Sequence, residues 1–157
     1  MTKVTTALAI ALALSAAAAP SGALAFEKKN YQYGNWNKAL FSDVVTVTGP
    51  AKLIYLAGAG SEEEKDGAIL YKDDVYAQCK YAFSKIKKAL ALHGATLADV
   101  VKVTTYVTDI RSREAYGKCR SEEYKDIALP AHTFINIQQL AWPGMQIEID
   151  VTAAVAP

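Results

Sequence analysis

Apolar residues between Val75 and Leu90 recur at helical spacing. Val75, Cys79, Ala82 with Phe83, Ile86, and Ala89 with Leu90 fall on one face at a period of 3.6 and predict an amphipathic helix. Asp73 or Asp74 stands where an N-cap belongs, and Gly94 after His93 supplies a stop. From Val100 to Ile110 the period becomes two. Val101, Val103, Thr105 and Val107 alternate with Lys102, Thr104, Tyr106 and Thr108, and the dense β-branching also favours a strand. Two short β-rich runs precede the helix, Val44 to Val47 and Leu53 to Ala57, and Gly49-Pro50 between them predicts a hairpin. A second, shorter helix is predicted after a cap at Ser112, with Ala115, Cys119 and Glu123 or Tyr124 along one side; Pro130 ends that region. Strands follow at His132 to Ile137 and Met145 to Val155, and the loop between them contains Trp142-Pro143-Gly144. Residues Phe26 to Lys38 show no period and read as an extended arm on the body of the domain, and the charged stretch Ser61 to Gly67 reads as a solvent loop.

The order β-β-α-β-α-β-β, with room for one more strand near the start, predicts an α+β fold: a mixed sheet with both helices on one face. A single helical layer leaves the other face bare. Ile147, Ile149 and Val151 on the last strand offer an apolar stripe for it, so the pattern predicts an oligomer.

The beginning of the chain follows a different grammar. Lys3 precedes an apolar run from Ala7 to Leu14 that continues through Ala16 to Ala19; Pro20, Ser21 and Gly22 break it, and Ala23-Leu24-Ala25 gives a small-x-small cleavage site. This is the pattern of a secretory signal peptide over residues 1–25. The apolar run is shorter than the roughly 20 residues of a spanning helix. Cleavage leaves one domain, residues 26–157, periplasmic or secreted, with no membrane segment. Removing Lys3 makes it formally neutral, which argues against a nucleic-acid surface. Lys80, Lys85, Lys87 and Lys88 fall at helical spacing and read as the solvated face of the first helix. His93 reads as a partner of that helix's dipole. Cys79 and Cys119 lack zinc-site spacing, and neither metal nor cofactor is indicated. An oxidising compartment permits a disulfide between them; two small buried thiols are the alternative.

Three segments in order resemble the RidA (YjgF) family. His93-Gly94-Ala95-Thr96-Leu97-Ala98-Asp99-Val100-Val101-Lys102-Val103-Thr104-Thr105-Tyr106-Val107-Thr108-Asp109 is similar to the family's helix end, glycine turn and V-K-x-T-x-[FY]-[VL]-x-D strand. Leu129-Pro130-Ala131-His132-Thr133 stands where the family has P-A-R-[ST], and Gln146-Ile147-Glu148-Ile149-Asp150-Val151 matches I-E-[IV]-[ED]. The resemblance spans about Val44 to Val155 and implies a chorismate-mutase-like fold, a homotrimer, and clefts lined by two neighbouring subunits. It further implies hydrolysis of reactive enamines and imines, with the arginine gripping the substrate carboxylate and a glutamate positioning the attacking water. It also implies helices side by side on the sheet, which brings Cys79 and Cys119 to similar levels.

Here the arginine position holds His132, mostly neutral at pH 7 and offering one donor where a guanidinium offers a fork. A hydroxyl position near the end of the second strand is Ala57, while the glutamate persists as Glu148. Ordinary 2-imino-acid deamination is therefore not expected. Glu148 and Asp150 share a strand face, as an acid–base pair or as solvated carboxylates. Phe134, two residues past His132, and Trp142 in its loop are candidates for an aromatic cleft wall or for simple packing. Three functions follow: hydrolysis of an imine, enamine or related C–N bond in a non-standard small substrate, with His132 and Glu148 catalytic; a non-catalytic trimer holding a small molecule or a protein partner; or a structural trimer with degenerate clefts.

Overall fold

The computed structural model describes residues 24–157. All but the last two residues of the predicted signal peptide lie outside the described residues. The elements are β1 (Glu27–Tyr31), β2 (Val44–Thr48), β3 (Lys52–Tyr55), α1 (Val75–Leu92), β4 (Val100–Val107), α2 (Arg113–Glu123), β5 (Ala131–Asn136) and β6 (Ile147–Val155). β3, β6, β4 and β5 form a mixed sheet in that order, with β4 and β5 parallel and the other pairs antiparallel. No helix among the described residues is long and apolar enough to cross a membrane.

The arm contains a strand, and the β2–β3 hairpin does not form. β2 pairs antiparallel with β1, from Glu27 opposite Thr48 to Tyr31 opposite Val44, while β3 pairs with β6. Composition marks a strand but not its partner. Gly49, at φ +78°, turns the chain from one ladder to the other.

The sheet's two faces correct a second expectation. Val103, Thr105 and Val107 on β4 join Ile147, Ile149 and Val151 on β6 in a buried layer. The predicted bare stripe is thus the covered one, packed with Cys79, Phe83, Ile86 and Leu90 of α1 in a single core. Alternation reveals that a strand has two faces but not which face meets the helices. Val101 marks a bulge between Val100 and Lys102, so Val100 and Val103 are both buried. The open face carries Tyr106, Glu148, Asp150 and Thr152, flanked by exposed Leu53 and Tyr55.

Asp74 caps α1, its carboxylate accepting from the Ala77 amide at 2.9 Å, and Gly94 takes φ +74° just past His93, the C-cap. Ser112 makes no side-chain cap bond. Asp109 instead accepts from the Arg111 amide at 2.9 Å, one turn earlier, and starts a short 3-10 turn that leads into α2. Cys79 and Cys119 form a disulfide with Cα atoms 6.4 Å apart, joining α1 to α2 in the core.

Candidate functional site

The register of β5 sends His132 to the helix side of the sheet. His132 lies opposite Val103 and Phe134 opposite Thr105, so both share the covered face. β5 is an edge strand, and α2 lies over this part of it. The Tyr116 ring stacks on both side chains, 5.6 Å from His132 and 5.2 Å from Phe134 between centroids. The Thr105 hydroxyl donates to the Tyr116 oxygen at 2.8 Å, and that phenol lies 2.9 Å from His132 Nε2. Nε2 also lies 3.2 Å from Thr105 Oγ1, so the two hydroxyls share one imidazole nitrogen.

Burial, then the nearby charges of Arg120 and Lys102, pushes the His132 imidazole down to about 3. Burial likewise pushes the Tyr116 phenol up to about 12. At neutral pH the pair is uncharged. His132 then has Nε2 engaged by two hydroxyls and little basicity left, so it orients and packs rather than moves protons.

A cavity of about 880 Å³ opens beside this cluster. α2 gives Tyr116 and Arg120 to its wall, β5 gives His132 and Phe134, and the segment between β1 and β2 gives Trp36 and Phe41. That segment is held by Asp43, which accepts from the Tyr33 amide at 2.6 Å and from Asn37 Nδ2 at 2.7 Å. These bonds, the Tyr33 amide foremost, hold the Asp43 carboxyl below its ordinary range. The Ser42 hydroxyl and Asn30 Nδ2 both donate to the Leu129 carbonyl, which seats the segment against the chain entering β5.

Glu148 occupies the opposite face. Its strand register places it across from Tyr106, and Asp150 across from Thr104. A Cβ on Gly58 would come within 2.1 Å of Glu148 Oε1, so the absence of a side chain at 58 makes the room this carboxylate fills. Burial first, then the charges of Asp150 and Glu62, raises the Glu148 carboxyl above its ordinary value, against the pull of Lys85. Ala57, exposed, immediately precedes Gly58.

The candidate residues therefore divide into groups. His132 and Phe134 share the cavity; Glu148 and Asp150 share the open face; Trp142, 58 % exposed in its loop, lines neither. Within one chain His132 and Glu148 are on opposite sides of the sheet. Sequence reasoning missed Tyr116, Arg120 and the Trp36–Phe41 wall. Tyr116 and Arg120 stand four apart, one helical turn, flanking the Cys119 position already assigned to the inner side. That spacing was the available signal, and an arginine on a short polar helix conceals it.

Two helices across one face of a mixed sheet, with a cavity between the edge strand, the second helix and an N-terminal strap, define an α+β protein of the YjgF/Rid type. The chain belongs to this family: residues 37–155 match the family described as Endoribonuclease L-PSP. A RutC family protein of Pyrococcus abyssi is 32 % identical over 87 residues, 55 % of this chain and 67 % of that protein. Among solved structures, the Rid family protein YyfB of Yersinia pestis superposes with a TM-score of 0.72 at 27 % identity, covering 82 % of this chain and 98 % of that one. A YjgF-family member of Mycobacterium tuberculosis gives 0.57 at 30 % identity over 82 % of this chain and all of that one, 100 %.

Proposed function

We propose that the protein is an exported, homotrimeric Rid protein that hydrolyses a C–N bond, an imine, enamine or relative, in a small substrate carrying no carboxylate where residue 132 would grip it. Glu148 carries this reading. Its raised carboxyl sits where the family resemblance puts the water-positioning glutamate, with Gly58 making room for it and Asp150 two residues away. An imine carbon is already electrophilic, so an oriented water and a general base suffice. The disulfide in the core supports the exported location, since such bonds persist in oxidising compartments.

The test is ammonia release from a panel of imines and enamines that differ in the position, or presence, of a carboxylate. Turnover is expected for members lacking the ordinary 2-imino-acid arrangement, and Glu148→Gln should lower it by about 100-fold or more. Because the ionised carboxylate is the base, the rate should rise with pH through a midpoint above the ordinary glutamate value. Release no faster than in buffer across the panel, or an unimpaired Glu148→Gln protein, overturns the proposal. One observation favours the second reading, a non-catalytic small-molecule-binding trimer: His132, held neutral with Nε2 engaged by Tyr116, contributes no acid or base at neutral pH.

A further inference from the structure

Glu62, in the loop that follows β3, keeps one carboxylate oxygen without a partner. Lys85 of α1 donates to Glu62 Oε1 at 2.6 Å and to the Glu62 carbonyl at 3.0 Å, and the Gly60 amide donates to the same Oε1 at 3.4 Å. Glu62 Oε2 is buried, and no donor among the described residues reaches it. A buried acceptor left in that state costs free energy and calls for a reason. Gly58 and Gly60 point to one. They flank Ala59, which pairs with Ile149 of β6. A Cβ on Gly58 would lie 2.1 Å from Glu148 Oε1, and a Cβ on Gly60 would lie 2.7 Å from Glu62 Oε2. The chain thus clears the side-chain space at both positions, and a carboxylate oxygen fills each. The two carboxyls are also pushed in opposite directions. Against burial, the Lys85 ammonium and the amides of Glu62 and Gly60 hold Glu62 below its ordinary range, whereas burial and then the charges of Asp150 and Glu62 raise Glu148. The groups that bear on Glu148 are therefore Asp150 on its own strand, Tyr106 across from it on β4, Glu62 from the loop and Lys85 from α1.

We propose that Glu62 is a positioning residue for Glu148: once Glu148 has taken a proton, its new O–H donates to Glu62 Oε2, and Lys85 keeps Glu62 ionised to accept it. This role rests on Glu148 being the base of the proposed hydrolysis; Glu62 itself touches no substrate. In that reaction the water oxygen bonds to the imine carbon, the water's proton passes to the Glu148 carboxylate, and the π pair moves to nitrogen. Glu148 then hands the proton to that nitrogen. Collapse repeats the exchange: the adduct hydroxyl gives its proton through Glu148 to nitrogen, and the C–N bond breaks to leave a carbonyl and an amine or ammonia. Glu62 stays charged throughout. An O–H···O bond to an ionised acceptor is roughly twice as strong as a neutral one. It exists only while Glu148 is protonated, so it strengthens Glu148 as a base and fixes which of its oxygens carries the proton.

The experiment labels the side-chain carboxyl carbons of glutamate in the full mature protein and follows Glu148 by NMR as pH is lowered, with Glu148→Gln identifying its resonance. Glu62→Gln should move the Glu148 midpoint to lower pH, because it removes both the charge and the acceptor. Glu62→Asp should move it part of the way. The shift should persist in about 1 M salt, where exposed charges are screened and buried pairs much less so. Glu64→Gln is the control: it removes an exposed charge of the same loop, one paired with Lys88, and should leave the midpoint in place. Thermal unfolding midpoints establish that the variants fold; should Glu62→Gln fail to, the Glu62→Asp midpoint decides. An unmoved Glu148 midpoint, a shift that vanishes in salt, or an equal shift in Glu64→Gln overturns the proposal. Turnover is read separately. With any imine that is hydrolysed, the rate–pH profile of Glu62→Gln should move down alongside the NMR midpoint, and a profile that stays in place overturns the positioning role. A panel without turnover overturns the hydrolysis instead, and leaves the Glu62–Glu148 bond to be decided by the titration.

Discussion

His132 enters the folded state neutral, and that choice has a pH signature. In the unfolded chain an imidazole titrates near 6.5; folded, burial holds His132 down to about 3. A depressed folded value means that stability is fully present above about 6.5 and is lost as pH falls toward about 3. The loss is on the order of 3 kcal/mol once the ring's exposed edge is discounted. Urea unfolding at pH 7, 5.5 and 4 should show it, and His132→Phe should flatten that part of the curve. Asp109, held near 2 chiefly by hydrogen bonds from Arg111, contributes mainly below that window. Parallel curves for wild type and His132→Phe would refute the assignment. Gly58 offers a second test at this scale. Gly58→Ala puts a methyl where Glu148 Oε1 now lies, so turnover should drop at least about tenfold while the unfolding midpoint moves little. An unchanged rate would mean that Glu148 is not held where its chemistry needs it.

At the scale of elements, α2 is the part to watch, because it is short and carries Tyr116 and Arg120 into the cavity wall. Its attachment is the disulfide to α1. That bridge closes a sequence separation of 40 residues, which adds about 4 kcal/mol in the chain-entropy account. Cys79→Ala with Cys119→Ala should therefore lower the unfolding free energy by a few kcal/mol. Two reactive thiols in denatured, unreduced wild-type protein would show that the bridge is not made. How far these elements were legible differs for physical reasons. α1 was readable apart from the choice between Asp73 and Asp74 as its cap, since one apolar face at 3.6 and a capping carboxylate are local facts. The partner of β2 and the covered side of β6 were not, because pairing and facing are decided by chain segments far away in sequence. The motifs located His132 and Glu148, and strand alternation put Phe134 beside His132, yet only the register of β5 and β6 against β4 separates the first pair from Glu148. Arg120 was illegible because a guanidinium on a polar helix ordinarily faces water.

For the whole molecule the opposed placement of His132 and Glu148 has a consequence. Side chains on opposite faces of one sheet cannot meet on one substrate within a chain, but a neighbouring copy can present its Glu148 to this copy's cavity. β5 is an edge strand, and the open face beside Glu148 carries exposed Tyr55 and Leu53, surfaces a second copy would cover. Light scattering should then give three times the chain mass at micromolar concentration. A mixing experiment probes the cleft itself. His132→Trp fills the cavity and Glu148→Gln removes the base, so each variant alone should be nearly inactive. Unfolded together in equal amounts and refolded, random trimers would unite an open cavity with an intact Glu148 in about one quarter of their clefts, and activity should return to about that fraction of wild type. A site confined to one chain yields no such recovery, because every chain in the mixture still carries one lesion. A stable monomer, or a mixture as inactive as its components, would mean that the two residues serve separate ends.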